Sequence, residues 1–462
     1  MNAHHHHGHH PIAPANLDAA AEQPSNDPRT VRIALEARET NWEVAPGVTI
    51  AGFGYNGQVP GPTIELTQGV PVEIEFTNRL SEPTLIHWHG LRIPAAMDGT
   101  DSTQKPVEPG ETFTYRFTPP DAGTFWYHPH ANETEQLEKG LYGAFIVRGD
   151  DQPGVGRQQI QPSADRQQIE PVVDREQTLI FDDVNADKQG RLAKFGGFRE
   201  RHDGREGDIR LINGKAEPEL TIAAGQIERW RIINASSARY IRFSLGGATF
   251  RIIGTDGGLI EAPVEVTEVL LPAADRVEIL VGPFEEGRTL AIDSLRYMRS
   301  TFKRRGKESF GSLVVGPAKP SRAAIPARLR TIEPLIDSDA TPNRTVTFKV
   351  APSLRRGLDF LVNGEMHHND QPVKVGELQV WDVVNVSLMD HPFHLHGFFF
   401  QVLSINGKAP AFRSWEDVVN LPPRSTVRIA WMPEDRPGSW MYHCHILEHH
   451  EAGMMGHFEV VR

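Results

Sequence analysis

Three stretches of this 462-residue sequence follow one pattern, and that repetition limits the possible folds more than any other feature. The first is YNGQVPGPTIEL around Asn56, the second INGKAEPELTI around Asn213 and the third VNGEMHHNDQPVKV around Asn363. Each continues through a Gly turn into a second apolar stretch that ends in Asn. A unit that recurs about every 150 residues has the size of an ordinary domain. The sequence therefore predicts three related domains.

The segments inside these units have the composition of strands. PVEIEFTN, TFTYRFTP, VEILVGPF, QVWDVVNVSL and TVRIAWMP alternate apolar and polar side chains or are rich in β-branched ones. The 41 Gly and 35 Pro separate such segments, and convincing amphipathic helices are scarce. We expect an all-β protein in which each domain is a Greek-key sandwich or barrel.

Shifts in composition indicate the domain boundaries. Residues 151–174 are rich in Gln, Pro and charge, and residues 316–334 are rich in Pro and Arg, as is typical of linkers. The predicted domains are 31–150, 175–315 and 335–462. Residues 1–30 begin MNAHHHHGHHP, which we interpret as a purification tag or a disordered tail without a role in the fold.

Charge and cysteine content exclude several classes of protein. The formal net charge of −12 argues against a nucleic-acid or anionic-membrane partner, because both bind basic surfaces. No apolar run is long enough to span a membrane. Cys444 is the only cysteine, so an intrachain disulfide is excluded. We expect a monomer that acts on small molecules.

Ten of the 21 histidines lie in four short clusters. The clusters are His87-Trp-His89, His128-Pro-His130, His391-Pro-Phe-His394-Leu-His396, and His443-Cys444-His445 with His449. Residues i and i+2 of a strand share a face, so each His-x-His directs two imidazoles the same way. Four converging pairs would offer eight nitrogens, which exceeds the need of one ion and predicts a polynuclear site for an imidazole-binding metal. A structural role for all ten would require several independent coincidences.

The same alternation separates Cys444 from its neighbours. Its side chain must point away from His443 and His445 and therefore belongs to a different site. Its natural partners are His391 and His449, because two imidazoles and a thiolate form the trigonal blue-copper set. Met454 is the expected weak axial thioether, with the adjacent Met455 as the alternative. A buried, inert thiol is the competing interpretation of Cys444.

Taken together, the motifs identify a resemblance to a known family. NGQVPGPTI, HWHG, GTFWYHPH, HPFHLHG, WEDVVNLPP and YHCHILEHHEAGMMG extend from Asn56 to Gly456, nearly the whole chain. They resemble the multicopper oxidases and are most similar to bacterial three-domain laccases, close to the spore-coat and thermophile laccases, and to copper-efflux oxidases. The resemblance implies three cupredoxin-like domains and four coppers per chain. It also implies a periplasmic or secreted protein whose export signal lies outside this sequence, with a cytoplasmic location as the alternative.

The family pattern implies a role for each motif residue. The type 1 copper would be held by His391, Cys444, His449 and an axial Met454. The type 2 copper would be held by His87 and His394. The type 3 pair would be held by His89, His128, His130, His396, His443 and His445. Cys444 would relay electrons, and His449 would receive them, because in the family its ring edge faces the substrate pocket.

Oxygen reduction consumes protons, so acids are expected near the cluster. The resemblance suggests Asp98 as a proton relay, although its segment AAMDGTD is also a plausible turn. Relatives often carry Glu after the type 1 histidine, whereas this chain has His450, which could also shuttle protons. Glu448 and Glu451 are the neighbouring acids. We expect His367 and His368 in a loop, and Trp415 and Asp417 in a loop beneath the type 1 site.

Several functions fit these motifs. The first is a laccase that oxidises phenols or aromatic amines by single electrons and reduces O₂ to water. The alternative is a metallo-oxidase for Cu(I), Fe(II) or Mn(II), although the nine Met are scattered and form no Met-rich insert. A copper-storage or coat protein is less consistent with the full ligand set. A nitrite reductase would need a three-histidine copper site rather than eight cluster histidines.

The axial position can be tested by substitution. Met454→Leu should raise the reduction potential of the type 1 copper in a redox titration, because removing a donor destabilises Cu(II). Met455→Leu is the matched control and should leave the potential unchanged. An unchanged potential in Met454→Leu would show that Met454 is not the axial ligand.

Overall fold

The computed structural model describes Ser25 and residues 27–149, 168–300 and 306–462. Strands dominate these residues, and the helices are short. None of the described helices is long and apolar enough to cross a membrane. The predicted tail before Ser25 and residues 151–167, most of the predicted 151–174 linker, lie outside the described residues.

The first unit consists of two four-stranded sheets that share one buried apolar cluster, which includes Ile74, Trp88 and Phe145. One sheet has the order β2-β1-β4-β6 and the other β3-β8-β7-β5. The strands are β1 (Val31–Ala45), β2 (Val48–Tyr55), β3 (Ile64–Thr67), β4 (Val72–Asn78), β5 (Ile86–His89), β6 (Thr112–Phe117), β7 (Gly123–Pro129) and β8 (Gly143–Arg148). A 3₁₀ turn spans Ala95–Met97, and helix α1 spans Glu133–Glu138.

The middle unit has a seven-stranded sheet, β11-β10-β9-β13-β18-β15-β16, and a five-stranded sheet, β12-β20-β19-β14-β17. Its strands are β9 (Arg175–Val184), β10 (Ile209–Ile212), β11 (Lys215–Ala216), β12 (Glu219–Ala223), β13 (Glu228–Asn234), β14 (Ile241–Leu245), β15 (Phe250–Thr255), β16 (Gly258–Val266), β17 (Val269–Leu271), β18 (Arg276–Val281), β19 (Thr289–Ser294) and β20 (Glu308–Gly316). Helix α2 (Phe198–Asp203) lies in the connection between β9 and β10.

The last unit pairs a sheet of order β22-β21-β25-β29-β27 with one of order β23-β31-β30-β26-β28, in which β24 also pairs with β31. Its strands are β21 (Arg344–Ser353), β22 (Gly357–Val362), β23 (His368–Asn369), β24 (Val373–Lys374), β25 (Gln379–Asn385), β26 (His391–Leu395), β27 (Phe400–Ile405), β28 (Val418–Leu421), β29 (Ser425–Trp431), β30 (Gly438–Cys444) and β31 (Met455–Val461). Helix α3 spans Leu447–Glu451. His368 was expected in a loop, but it begins β23, because β31 offers Gly456 as a partner.

The three units repeat one topology. In one sheet of each unit, the first strand runs parallel to a later strand, as in β1 with β4, β9 with β13 and β21 with β25. In the other sheet, β3 with β8, β12 with β20 and β23 with β31 are also parallel. The five segments predicted as strands are β4, β6, β18, β25 and β29. The prediction of an all-β protein built from three related units is confirmed.

The repeated Asn-Gly turns make the same contacts in each unit. Asn56, Asn213 and Asn363 all adopt positive φ, between 50° and 51°. Each side-chain Oδ1 accepts a hydrogen bond from the first strand of its unit, through the backbone N–H of Glu36, Ile180 and Thr347. Asparagine suits this position because its short amide bonds locally and tolerates the left-handed conformation.

The two predicted linkers contact each other where both are described. Val172 and Ala324 form an antiparallel bridge, and the N–H of Ile169 donates to the carbonyl of Leu329 at 2.7 Å. Val173 and Leu329 are buried in one apolar cluster with residues of the middle unit. These segments are therefore packed against the middle unit rather than extended through solvent.

The turn asparagines provide a test of the repeat. Asn213→Gly keeps the positive φ but removes the bonds from Ile180 N–H and to the Thr178 carbonyl, so it should lower the free energy of unfolding by about 1 kcal/mol. Asn213→Ala should cost about 1–2 kcal/mol more, because a Cβ disfavours this conformation. Urea denaturation of both variants checks the order, and equal stability of Gly and Ala would contradict it.

Candidate metal centres

Cys444 lies at the end of β30 and faces two imidazoles from neighbouring elements. Its Sγ is 3.4 Å from Nδ1 of His391, at the start of β26, and 3.6 Å from Nδ1 of His449, on α3. All three side chains are completely buried, as is Met454, which packs in the same apolar cluster as Cys444. The backbone links them as well, because Cys444 N–H donates to the Met454 carbonyl at 3.1 Å and Met454 N–H donates to the His449 carbonyl at 2.9 Å. The Cys444 site consists of these four residues, His391, Cys444, His449 and Met454.

Polar contacts orient both imidazoles of the Cys444 site. The Nε2 of His391 contacts the Ser387 hydroxyl at 2.9 Å, and the Nε2 of His449 donates to the His202 carbonyl at 3.1 Å. Each ring therefore turns its Nδ1 towards Sγ. Burial lowers the pKa of His391 to about 3, so its ring is neutral and carries a lone pair. Burial raises the pKa of the Cys444 thiol, and a cation between these atoms would favour the thiolate instead.

A second cluster forms where four elements converge. The backbone directs one histidine pair from each of β5, β7, β26 and β30 to a common point, although the second member of three pairs lies just beyond its strand. The Nε2 atoms of His396 and His443 are 2.9 Å apart, and Nδ1 of His89 is 3.4 Å from Nε2 of His128. This eight-histidine cluster consists of His87, His89, His128, His130, His394, His396, His443 and His445.

The cluster has the properties of a metal site. Five buried ring nitrogens of the cluster have no hydrogen-bond partner among the described residues. They are the Nε2 atoms of His87, His130 and His394 and both ring nitrogens of His445. Unpaired polar atoms are costly in a protein interior, and a metal ion would satisfy them. Burial lowers the pKa of seven members, which keeps their rings neutral and able to coordinate; these are His87, His89, His130, His394, His396, His443 and His445.

The outer nitrogens of the cluster are held by the protein. Nδ1 of His87 donates to the Asp98 carbonyl at 2.8 Å, Nδ1 of His394 to the Asp417 carbonyl at 3.0 Å, and Nδ1 of His443 to the Cys444 carbonyl at 3.0 Å. Each bond assigns the ring proton to the outer nitrogen and leaves the inner nitrogen free. Such outer contacts are typical of histidines that bind metals.

The side chain of Asp98 reaches the cluster. Its Oδ2 lies 2.9 Å from Nδ1 of His396, and Oδ1 lies 3.5 Å from Nδ1 of His87. Burial raises the pKa of this carboxyl well above its usual range. Asp98 is thus a buried acid in contact with two cluster histidines.

The expected position of Asp417 beneath the Cys444 site is wrong. Its Oδ1 lies 3.1 Å from Nε2 of His89 and 3.4 Å from Nδ1 of His394, so it contacts the eight-histidine cluster. The strand register explains the difference. On β28, Leu421 pairs with His391 and Val418 with His394, so Asp417 lies at the cluster end of β26. Trp415 packs instead against the core of the first unit.

The structure adds Glu133, which the sequence analysis missed. This buried carboxylate lies 3.0 Å from Nδ1 of His128 and 2.9 Å from Nδ1 of His450. The His450 ring stacks on His443 with centroids 4.1 Å apart. Burial alone would lower the pKa of His450, but the Glu133 carboxylate outweighs it and raises that pKa. Glu133 follows His130 by three residues and opens α1, a spacing that could have suggested it.

The other two acids considered beside His449 are bonded to backbone N–H groups. Glu448 accepts a hydrogen bond from the Arg205 N–H, and Glu451 accepts one from the Thr134 N–H.

Helix α2 covers the ring edge of His449 that was expected to face a substrate pocket. The side chain of His449 has no exposed surface, and the α2 carbonyl of His202 accepts its Nε2 proton. The Phe360 ring stacks on its face at 4.2 Å. The end of α2 packs closely against the segment before α3, since a Cβ on Gly204 would lie 2.6 Å from the Ile446 side chain.

Comparisons with known proteins identify the family of this chain. Family models described as multicopper oxidase match residues 36–152, 176–291 and 338–462. The chain belongs to the multicopper oxidase family. A multicopper oxidase of Staphylococcus aureus is 30% identical over 93% of this chain and 88% of that protein.

Solved multicopper oxidase structures share the fold. A Campylobacter jejuni multicopper oxidase described as a metallo-oxidase has a TM-score of 0.81 and 30% identity, and the match covers 96% of this chain and 93% of that one. A laccase from Pediococcus acidilactici has a TM-score of 0.79 and 27% identity, with 95% and 91% covered. Membership of the family implies that this chain binds copper and uses O₂.

Removing copper should destabilise the protein. A ligand that binds only the folded state stabilises it by about 4 kcal/mol at a thousand times its dissociation constant. The midpoint of thermal unfolding should therefore fall after treatment with a copper chelator and recover when Cu(II) is added. Mg²⁺ is the control and should not restore it, because this ion prefers oxygen ligands. Equal midpoints with and without copper would contradict the prediction.

Proposed function

We propose that this chain is a laccase-type oxidase that takes single electrons from phenols or aromatic amines at the Cys444 site and reduces O₂ to water at the eight-histidine cluster. One observation carries the proposal. Two successive residues of β30 face the two centres, with Cys444 Sγ 3.4 Å from His391 and His443 Nε2 2.9 Å from His396. A donor site and an acceptor site are thereby joined through one backbone step.

The copper assignments belong to the same proposal. Bound copper would supply reversible one-electron chemistry at the Cys444 site and collect four electrons for O₂ at the cluster. The type 1 ligands are His391, Cys444, His449 and axial Met454. The type 2 ligands are His87 and His394. The type 3 ligands are His89, His128, His130, His396, His443 and His445. The free inner nitrogens support this set, and it corresponds to four coppers per chain.

We also propose that two buried carboxyl groups, Asp98 and Glu133, relay protons to the cluster. Asp98 contacts His87 and His396 on one side of the cluster, and Glu133 contacts His128 and His450 on another. An acid must lie within hydrogen-bond reach of its proton acceptor, directly or through water, and both acids are held beside the cluster. His450 occupies the position where many relatives carry a glutamate, and here it would hold Glu133 in place.

One observation favours a metallo-oxidase as the second candidate. The Nε2 of His449 is bonded to the His202 carbonyl under helix α2, so a phenol ring could not touch this ring edge while α2 covers it. A small metal ion could deliver its electron from outside this cover. The Campylobacter jejuni relative described as a metallo-oxidase is consistent with this alternative.

The oxidase activity can be measured directly. Copper-loaded protein should contain about four coppers per chain, with an intense blue band and an EPR-active type 2 signal. It should consume O₂ in a sealed electrode cell with a phenolic donor. Cys444→Ser is the control, and it should lose the blue band and the oxygen uptake. Copper binding without oxygen uptake from any phenol, amine or metal-ion donor would instead indicate storage.

Comparing catalytic efficiencies separates the two oxidases. If the chain is a laccase, kcat/KM for a substituted phenol should exceed that for Cu(I), Fe(II) and Mn(II). The opposite order would overturn the laccase assignment and support the metallo-oxidase. Fractionating the native host tests the predicted location outside the cytoplasm.

A further inference from the structure

The middle unit contributes no histidine to the eight-histidine cluster, but one of its arginines reaches the residues that hold it. Arg276, at the start of β18, is completely buried. Its Nη1 donates to Oδ1 of Asp417 at 2.7 Å, and its Nη2 contacts the other oxygen of that carboxylate. Nη1 also lies 3.1 Å from Oδ1 of Asp256. Bidentate pairing of this kind fixes the plane of a carboxylate.

Asp417 passes this constraint to two cluster histidines. Its Oδ1 accepts a hydrogen bond from Nε2 of His89 at 3.1 Å, and its carbonyl accepts one from Nδ1 of His394 at 3.0 Å. His89 belongs to the first unit and His394 to the last. One guanidinium from the middle unit therefore sets the position of an acid that orients a ligand from each neighbouring unit.

The packing leaves little freedom for any other arrangement. Asp256 Oδ2 accepts hydrogen bonds from the backbone N–H groups of Asp417 and Val418, at 3.1 and 2.9 Å. Gly90, next to His89, has φ +84°, and a Cβ there would lie 2.5 Å from Arg276 Nη2 and 2.7 Å from Asp417 Oδ2. The chain thus approaches the ion pair too closely for a side chain.

We propose that Arg276 is a positioning residue for the copper ligands, acting through Asp417 on His89 and His394. This inference rests on the proposed copper assignments. Two buried carboxylates, Asp256 and Asp417, flank one guanidinium, so removing its charge leaves uncompensated charges that repel each other. The Asp417 carboxylate would then lose its fixed plane, and the two rings would lose their orientation. Losing a contact of this kind typically weakens metal affinity by about 10–100-fold.

A competing explanation is that Arg276 only joins the units. Arg231 provides the matched control, because it is also a buried arginine of the middle unit that contacts the first unit. Its Nη1 donates to the Thr124 hydroxyl at 3.0 Å, and it pairs with Glu278 and Glu176. These partners are not cluster residues. Arg231→Met should therefore cost stability without altering the copper ligands.

The experiment compares Arg276→Met, Arg276→Lys and Arg231→Met in full-length, copper-loaded protein. Arg276→Met should weaken copper binding by the cluster about 10–100-fold in chelator competition and change the type 2 EPR signal. The blue band of the type 1 copper should persist, which also reports that the chain is folded. Arg276→Lys keeps the positive charge but cannot bind both carboxylate oxygens at once. Its copper affinity and type 2 EPR signal should therefore lie between those of Arg276→Met and the wild type. Arg231→Met should match the wild type in both copper measurements.

Two results would overturn the proposal. One is a wild-type EPR signal and copper affinity in Arg276→Met, and the other is an equal change in Arg231→Met. If Arg276→Met does not fold, Arg276→Lys decides the question, because a type 2 signal identical to the wild type would exclude a positioning role. Since the measurements follow copper rather than donor oxidation, they stand even if no phenol is oxidised, which would be a failure of the proposed laccase function alone.

Discussion

Consecutive side chains of a β-strand point to opposite faces, and in β30 this places two unlike sets of side chains back to back. His443 faces the eight-histidine cluster, whereas Cys444 faces His391 and His449. Strand β30 is paired with β26 on one side and β31 on the other, so its register is held from both directions. A slip of one residue would exchange the two faces and destroy both sites together. The relation between the sites is therefore a consequence of strand geometry.

Burial controls the chemistry of the imidazoles. It lowers the pKa of most cluster rings, and neutral rings retain a lone pair for coordination. The second nitrogen of each ring still needs a partner, and several find a nearby carbonyl, such as those of Asp98, Asp417 and Cys444. These bonds select the tautomer and point the remaining nitrogen inwards. Backbone carbonyls are suited to this task because their positions follow from the fold rather than from a flexible side chain.

The middle unit influences both sites without supplying a cluster histidine. The carbonyl of His202 on α2 bonds to His449 and covers its edge, and Arg276 on β18 bonds to Asp417 beside the cluster. Both contacts join residues far apart in the chain. A unit that supplies no cluster histidine thereby contacts groups at both sites.

The sequence by itself determined the all-β class, the threefold repeat and the pairing of histidines, because strand alternation and Asn-Gly turns are local properties. The same alternation was enough to separate Cys444 from its two neighbours. Only the tertiary structure decided which group meets each ring, as the position of Asp417 at His394 depends on the register of β28 against β26. It also decided that Glu133 pairs with His450 and that α2 covers His449, since α1, α2 and α3 meet only when the three units pack together. The spacing of Glu133 after His130 could suggest an acid near the cluster, but no local spacing shows which distant element such a group contacts.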